Sequence, residues 1–275
     1  MSYTSRIDRA FYYAPTVPLS SHDKYVLFSD CHRGNGTSGD NFLKNQNLYF
    51  AALDYYYHHS FGYIELGDGD ELWENRHFSS IQEIHSNVFW LLSLFHKEKR
   101  LWMLYGNHDI VKKNLHPFPD CCFYEGLRLK DCVSGKELYL THGHQADFLN
   151  SKLWRLSRFL VRYLWQPLEE FGVLDPTSAA KNYRVKKKTE KRLQHWAKTK
   201  NRILIAGHTH RPVLGSKDST YFNTGSCVHP RCITCIEIIN RRFILVKWTL
   251  STKEDRTLYV AREPLDEPIA LDEIF

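Results

Sequence analysis

Residues 62–73 read GYIELGDGDELW, and residues 100–109 read RLWMLYGNHD. Each stretch opens with a short apolar run rich in β-branched or aromatic residues, then breaks at a glycine into Asp, Asn and His. That is the pattern of a buried strand running into a polar loop. Three further stretches repeat it: KYVLFS (24–29) ends in Asp30-Cys31-His32, KELYLT (136–141) in His142-Gly143-His144, and RILIA (202–206) in Gly207-His208-Thr209-His210. Helical stretches near 40–59 and 78–98 separate the three N-terminal strands, as in βαβ units. The expected fold class is therefore α/β. After the fifth motif, STYFNT, CITCIEII, RRFILVKWTL and TLYVA predict antiparallel strands joined by short turns.

The chain has 275 residues, which suits one domain (1–275) carrying a sizeable insertion. Hydrophobic content of 43% and charged content of 25% exclude a disordered chain. A formal net charge of +6 permits an acidic substrate without demanding one. No apolar run approaches the roughly 20 residues of a membrane span, and MSYTSRIDRAFYYAPTVPLS lacks the apolar stretch of a signal peptide. The expected location is cytoplasmic. Seven cysteines, an odd number without framework spacing, fit reduced and mostly buried thiols. Cys232 and Cys235 form one CxxC, but no second pair completes a zinc site.

One interval breaks the strand rhythm. Leu149, Leu153, Leu156, Leu160, Leu164, Leu168 and Phe171 recur at helical spacing, flanked by Lys152, Arg155, Arg158 and Arg162 and interleaved with Trp154, Phe159, Tyr163 and Trp165. Residues 181–202 then hold ten Lys or Arg against one Glu. Residues 148–200 read as a helical cap inserted over the strand ends. The stripe packs on the protein's own body, lines an acyl channel, or lies on an anionic membrane surface.

The strand ends collect Asp30, His32, Asp68, Asn107, His142, His208 and His210. Carboxylate and amide oxygens with imidazoles suit manganese, iron or zinc. In Asp30-x-His32 and His208-x-His210, residues two apart in an extended loop point the same way and so reach one site. Polar residues at the carboxyl ends of neighbouring strands converge on a common crevice. A shared carboxylate such as Asp68 can bridge two metals about 3.5–4 Å apart, the usual clamp for in-line displacement at phosphorus.

Taken in order, DxH (30–32), GDxxE (67–71), GNHD (106–109), THGH (141–144) and GHTHRP (207–212) resemble the calcineurin-like metallophosphoesterases, from about Tyr25 to Ser226. The resemblance implies a four-layer α/β/β/α sandwich with two divalent metal ions, manganese first and iron or zinc as alternatives. It implies a first metal held by Asp30, His32, Asp68 and His210, and a second held by Asp68, Asn107, His142 and His208. It implies a bridging hydroxide as nucleophile, since coordination lowers the pKa of water to near neutral. His108 would not be a ligand. It would face the substrate phosphate and donate to the leaving oxygen or to charge developing in the transition state. Glu71 is the first choice for orienting it, ahead of Asp109 and Asp70. The Gly67-to-Trp73 stretch, the insertion and GHTHRP resemble the UDP-2,3-diacylglucosamine hydrolase group, which cleaves the pyrophosphate of a nucleotide-linked lipid beneath a helical cap. Two departures stand out: that group typically has GNRD and HGD, where this chain has GNHD and His142-Gly143-His144.

Other residues have two readings each. Arg211 pairs with a substrate phosphate, alongside Asn107, or is a solvated turn residue. Asp70 supports His108 or is a solvated turn carboxylate. Arg33 and Asn35 contact phosphate or serve a glycine-rich turn. His144 touches the second metal's face or is a plain loop histidine. Cys31 is expected to pack away from the ligands, and Asn223-Thr224-Gly225-Ser226 to support the site from beneath. Tyr55, Tyr56 and Tyr57 with His58 and His59 read as the end of a packed helix. The leading expectation is hydrolysis of a phosphodiester or pyrophosphate in a small or lipid-linked substrate, with peripheral attachment to the inner face of a membrane. The alternatives are a nuclease, with 181–202 as the nucleic-acid track, a general phosphatase or phosphodiesterase, and a non-catalytic scaffold of the same fold.

Overall fold

The computed structural model describes residues 1–37, 40–165 and 182–274. Leu168 and Phe171, named above, lie outside these described residues. The larger sheet is built on three parallel strands, β2 (Lys24–Phe28), β3 (Gly62–Leu66) and β4 (Leu101–Leu104), with β5 (Phe123–Tyr124) parallel at one edge. On the other side β10 (Cys232–Ile239), β11 (Arg242–Thr252) and β12 (Leu258–Pro264) add antiparallel, and β13 (Ile269–Ala270) pairs with β11. The smaller sheet runs β1 (Thr16–Leu19), β6 (Gly126–Asp131), β7 (Glu137–Thr141), β8 (Ile203–Ala206), β9 (Tyr221–Asn223). The protein is thus mixed α/β with two mixed sheets.

Alternation along the strands explains how the sheets pack, because successive side chains face opposite sides. In β2, Tyr25 and Leu27 join a core shared by both sheets, with Ile64, Leu66, Leu138, Leu140, Ile203 and Ile205. Val26 and Phe28 face the other way, into a core closed by helices α2 (Gln46–His58) and α4 (Ser86–Lys97), which follows the short α3 (Phe78–Ile84). On the outside of the smaller sheet, Tyr139, Leu204 and Ala206 meet Ile7 and Phe11 at the N-terminal helix α1 (Tyr3–Ala10). With faces buried on both sides, the strands read as continuous apolar runs. The tyrosine cluster is indeed a helix end: Tyr56 is buried in α2, and His59 Nδ1 bonds back to the Tyr55 carbonyl at 2.7 Å.

Two expectations are revised. Strand β9 runs parallel to β8, with Leu204 opposite Tyr221, so only β10 to β12 form the antiparallel set. The chain returns to the same edge across residues 207–220, which leaves room for a ligand loop between the two strands. Second, only part of the 148–200 stretch stands off the body. Helix α5 (Phe148–Lys152), α6 (Trp154–Leu160) and a π-turn at Val161–Trp165 precede α7 (Tyr183–Lys200). Helix α7 buries Leu193, Trp196 and Ala197 against the smaller sheet, so it is an outer layer of the body. Burying a side chain of such size is worth roughly 1.5–3 kcal/mol. The stripe on α5 and α6 is largely not core: Leu149, Leu153, Leu156 and Leu164 are exposed, as are Phe148, Phe159 and Tyr163. Among the described residues no helix is long and apolar enough to cross a membrane. All seven cysteines are free, with Cys122 and Cys132 exposed.

Parallel order puts the carboxyl ends of β2, β3 and β4 on one rim, and β7 and β8 bring theirs to meet it. Backbone bonds sew the loops together: Asp30 N–H to the Gly67 carbonyl (3.1 Å), His32 N–H to Asp68 (2.9 Å) and Gly207 N–H to His142 (2.9 Å).

Candidate metal centre

The residues at these strand ends share an unusual backbone. Asp30, His32, Asp68, His208 and His210 have φ of 53°, 49°, 49°, 67° and 54°. Left-handed backbone costs an L-residue roughly 1–2 kcal/mol, and such strain clusters where function requires it. The two D/H-x-H pairs therefore do not run extended, as the sequence suggested. Each turns tightly, and the ligands still converge. His210 Nε2 lies 3.1 Å from Asp30 Oδ1, His32 Nε2 lies 3.8 Å from the same oxygen, and the two imidazoles approach to 3.2 Å. A Cβ on Gly106 would collide with the Asp68 carboxylate, so the glycine of GNHD is needed for this closeness.

Six of the seven expected ligands form two groups, Asp30/His32/His210 and Asp68/His142/His208, each with its ligand atoms within 4.8 Å of one another. His142 Nε2 stands between them, 3.0 Å from Asp68 Oδ2 and 4.0 Å from Asp30 Oδ1. Asn107 is buried, and its neighbour's amide (His108 N–H) donates to Asp68 Oδ1 at 2.8 Å. Asn107 Oδ1 and His208 Nε2 are buried without a hydrogen-bond partner, while Asp30 Oδ1 and His142 Nε2 meet only other expected ligands, His210 at 3.1 Å and Asp68 at 3.0 Å. Leaving such an atom unsatisfied costs about 1–3 kcal/mol. Lone-pair donors grouped in this way fit a site built for divalent cations. The histidine tautomers fit too. His142 Nδ1 is 2.9 Å from the Leu66 carbonyl, which can only accept, so Nδ1 carries a proton and Nε2 is the nitrogen that offers a lone pair once the imidazole is neutral. Glu71 does the same for His32 through Oε2 at 2.8 Å.

The other oxygen of Glu71, Oε1, lies 2.8 Å from His108 Nδ1. Glu71 is thus the partner of His108, and it also steadies a metal-site histidine. Burial raises the Glu71 carboxyl, but His108 and His32 outweigh this and bring it to about 2. Burial opposes charge on His108, yet Glu71 and Asp68 raise its pKa above the usual histidine value. His142 also resists burial, and Asp68 and Asp30 lift it to about 9. Burial and the nearby His142 push His208 down to about 3. The carboxyl of Asp30 sits well below its ordinary range: burial pushes it up, but His210 and His142 prevail.

The remaining residues divide clearly. Asp109 does not touch His108. It accepts the backbone N–H groups of Gly106 (2.6 Å), Asp68 (3.2 Å), Gly69 (3.0 Å) and Asp70 (3.4 Å), and pairs with Lys112 Nζ at 2.6 Å. Asp70 is no solvated turn residue. It is fully buried between Arg33 and Lys112. Arg33 is equally buried, its guanidinium held by Asp70 at 2.7 Å and Glu65 at 2.9 Å, so it does not reach a phosphate. Asn35 is exposed and accepts from Thr37 in its own turn. Arg211 is half-exposed and gripped at two points by Glu190 of α7, at 2.9 and 2.7 Å. His144 is buried with Nδ1 unpartnered, its ring 5.6 Å from His142, and burial next to His142 keeps it neutral. Cys31 packs into the helix-side core. Asn223 donates to the Gly207 carbonyl at 2.7 Å, and Thr224 meets Ser29 at 2.6 Å, beneath Asp30.

Lys112 and His229 had no signal in the sequence, and Trp73 entered only as part of the resembling stretch. Trp73 stacks on His108, ring centroids 4.2 Å apart and planes within 25°. Lys112 is the buried cation under the loops. His229 is half-buried near His210 with its Nε2 unpartnered, and only the loop after Ser226 brings it there. No family model matches the chain, and no curated protein matches it.

Proposed function

We propose that the protein is a dinuclear-metal-dependent phosphohydrolase of the calcineurin-like metallophosphoesterase type, its two sheets and flanking helices forming that family's four-layer sandwich. The observation that supports this reading is the pair of ligand groups Asp30/His32/His210 and Asp68/His142/His208, with His208 Nε2 and Asn107 Oδ1 buried and unpartnered, beside a His108–Glu71 pair joined at 2.8 Å. Asp30, His32, Asp68 and His210 hold one cation, and Asp68, Asn107, His142 and His208 the other, manganese being the first choice. When bound, the cations supply Lewis-acid charge and lower the pKa of water to near neutrality. The chain does the rest. Glu71 fixes His108 through Nδ1, which leaves Nε2 to give a proton to the leaving oxygen. The stacked Trp73 ring covers one face of that imidazole and keeps water from it.

The bond cleaved is a phosphodiester or pyrophosphate. Exposed Leu149, Leu153, Leu156 and Phe159 beside Lys152, Arg155 and Arg158 favour an amphiphilic substrate, such as a nucleotide-linked lipid, met at an anionic membrane surface. A nuclease is the second reading. One observation favours it: Arg184, Lys188, Lys191 and Lys198 are exposed at spacings of three, four and seven along one face of α7, a span of about 21 Å at 1.5 Å per residue. Purified protein should be assayed with Mn²⁺ on bis-p-nitrophenyl phosphate, a UDP-sugar lipid and single-stranded DNA. Activity on none of the three, with two metals bound, would leave only a non-catalytic scaffold.

A further inference from the structure

The off-body helical segment is tied to the reacting end of the site through one side chain. Arg162 lies in the π-turn at Val161–Trp165. Its Nε donates to the Trp73 carbonyl at 2.7 Å, and its Nη2 donates to the carbonyls of Leu72 at 3.1 Å and Asn75 at 3.3 Å. One planar guanidinium therefore holds three carbonyls of the turn that follows Glu71, a geometry a single ammonium cannot reproduce. The turn is short and internally bonded. Asn75 donates to the Glu71 carbonyl from its backbone at 3.1 Å and its side chain at 2.8 Å. The Trp73 N–H donates to Glu71 Oε1 at 3.3 Å, the same oxygen that meets His108 Nδ1. The Trp73 ring lies against the His108 ring. Tyr163 adds a second tie, accepting from Arg76 at 3.4 Å.

We propose that Arg162 is a positioning residue for His108. By clasping the 71–76 turn, it makes the seating of residues 148–165 set both contacts that orient the imidazole, the Glu71 carboxylate and the Trp73 ring. Binding energy gained by a substrate on the helical segment is then passed to the proton donor, as remote binding energy is used to place reacting groups. This inference rests on the proposed phosphohydrolase reading for its consequence, but the clasp itself does not.

The test uses Arg162→Ala and Arg162→Lys in the full chain. Hydrogen exchange of residues 71–76 reads the clasp without any activity. Turnover on an alkyl phosphodiester, against bis-p-nitrophenyl phosphate, reads its consequence. In Arg162→Ala, exchange in the turn should speed by about tenfold or more. Turnover on the alkyl diester should fall roughly 10- to 10²-fold, the range a displacement near 1 Å produces. KM, bound metal and turnover on the p-nitrophenyl ester, whose leaving group needs no proton, should stay within about twofold. Arg162→Lys should fall between. Unchanged exchange in Arg162→Ala would overturn the clasp, and so would wild-type exchange in Arg162→Lys. Faster exchange with equal losses on both substrates would overturn the positioning role. A wild-type protein that binds metal but hydrolyses neither ester would sink the phosphohydrolase reading instead, and the exchange result alone would then decide the clasp.

Discussion

Replacing Lys112 with Met keeps the length of the side chain but removes a cation that is fully buried and sits among three carboxylates. Its Nζ pairs with Asp70, with Asp109 at 2.6 Å, and with Glu65 at 4.0 Å. Burial disfavours the ammonium, yet Asp109 and Asp70 raise its pKa above the usual lysine value. After the substitution Glu65 and Asp70 keep the Arg33 guanidinium, while Asp109 loses its ammonium partner. Removing one partner of a buried pair typically costs about 3–5 kcal/mol. Four backbone N–H groups still serve Asp109, which places the expected loss near the lower end, about 3 kcal/mol. Asp109→Asn alone should cost roughly 1–3 kcal/mol, because the single Asn oxygen can serve the amides on one side only, while its NH2 group faces the amides of the other side or the ammonium, which is left short of an anion. Combined with Lys112→Met it should restore about 1 kcal/mol or more, because it removes the surplus negative charge that the first change created. Urea unfolding of metal-free protein, followed by the fluorescence of its seven tryptophans, measures all three variants. Additive losses in the double variant would refute the reasoning, as would a loss below about 1 kcal/mol for Lys112→Met, since a solvated pair contributes that little.

Asp68→Asn, chosen because Asn tolerates the left-handed backbone at this position, should keep the fold, lower bound metal below two per chain and abolish hydrolysis. Elemental analysis checks it, and an active wild-type protein free of transition metal would end the assignment. His108→Ala should keep both metals yet cut turnover on poor leaving groups by about 10²–10⁴, with a smaller loss on p-nitrophenyl esters; lost metal would make His108 a ligand. Leu156→Asp with Leu160→Asp should weaken co-sedimentation with anionic vesicles at low salt and spare hydrolysis of a small phosphodiester. A wild-type protein that never co-sediments would remove the membrane-facing reading of the stripe.

The two candidate ligand groups were legible because their signal is chemical. Asp, Asn and His after a buried apolar run are costly unless something uses them, and five such runs in one chain point to one rim. Glu71 came through the family resemblance instead, as the acid three residues beyond Asp68. The geometry beneath the ligands was not. Arg33, Asp70 and Asp109 look like ordinary turn charges, and nothing local says that they are buried together with Glu65 and Lys112. Their partners lie on β3, the turn after it and the turn after β4, so only the parallel pairing of those strands brings them into contact. The fate of 148–200 was hidden in the same way. A heptad-like stripe predicts a helix with an apolar side, but Leu193 and Trp196 found the smaller sheet while Leu156 did not.

The left-handed ligand turns and the buried ionic hub belong to one physical argument. Asp68 holds φ at 49°, a conformation that an isolated loop would leave for a relaxed one. Its own N–H and the next two are fixed to Asp109, which Lys112 anchors from below. Repulsion among the carboxylates of a metal-free centre adds to the tendency to relax, and a bound cation removes it. The hub therefore offsets the cost of keeping the candidate ligands in place without a cation. It follows that Lys112→Met should weaken metal binding as well as stability, although Lys112 touches no ligand side chain expected at the metals except through Asp109. Titration of metal-free protein with Mn²⁺ should show a weaker site in this variant even at temperatures where it remains fully folded. Unchanged affinity in a destabilised variant would separate the two and show that the turns hold their shape without the hub.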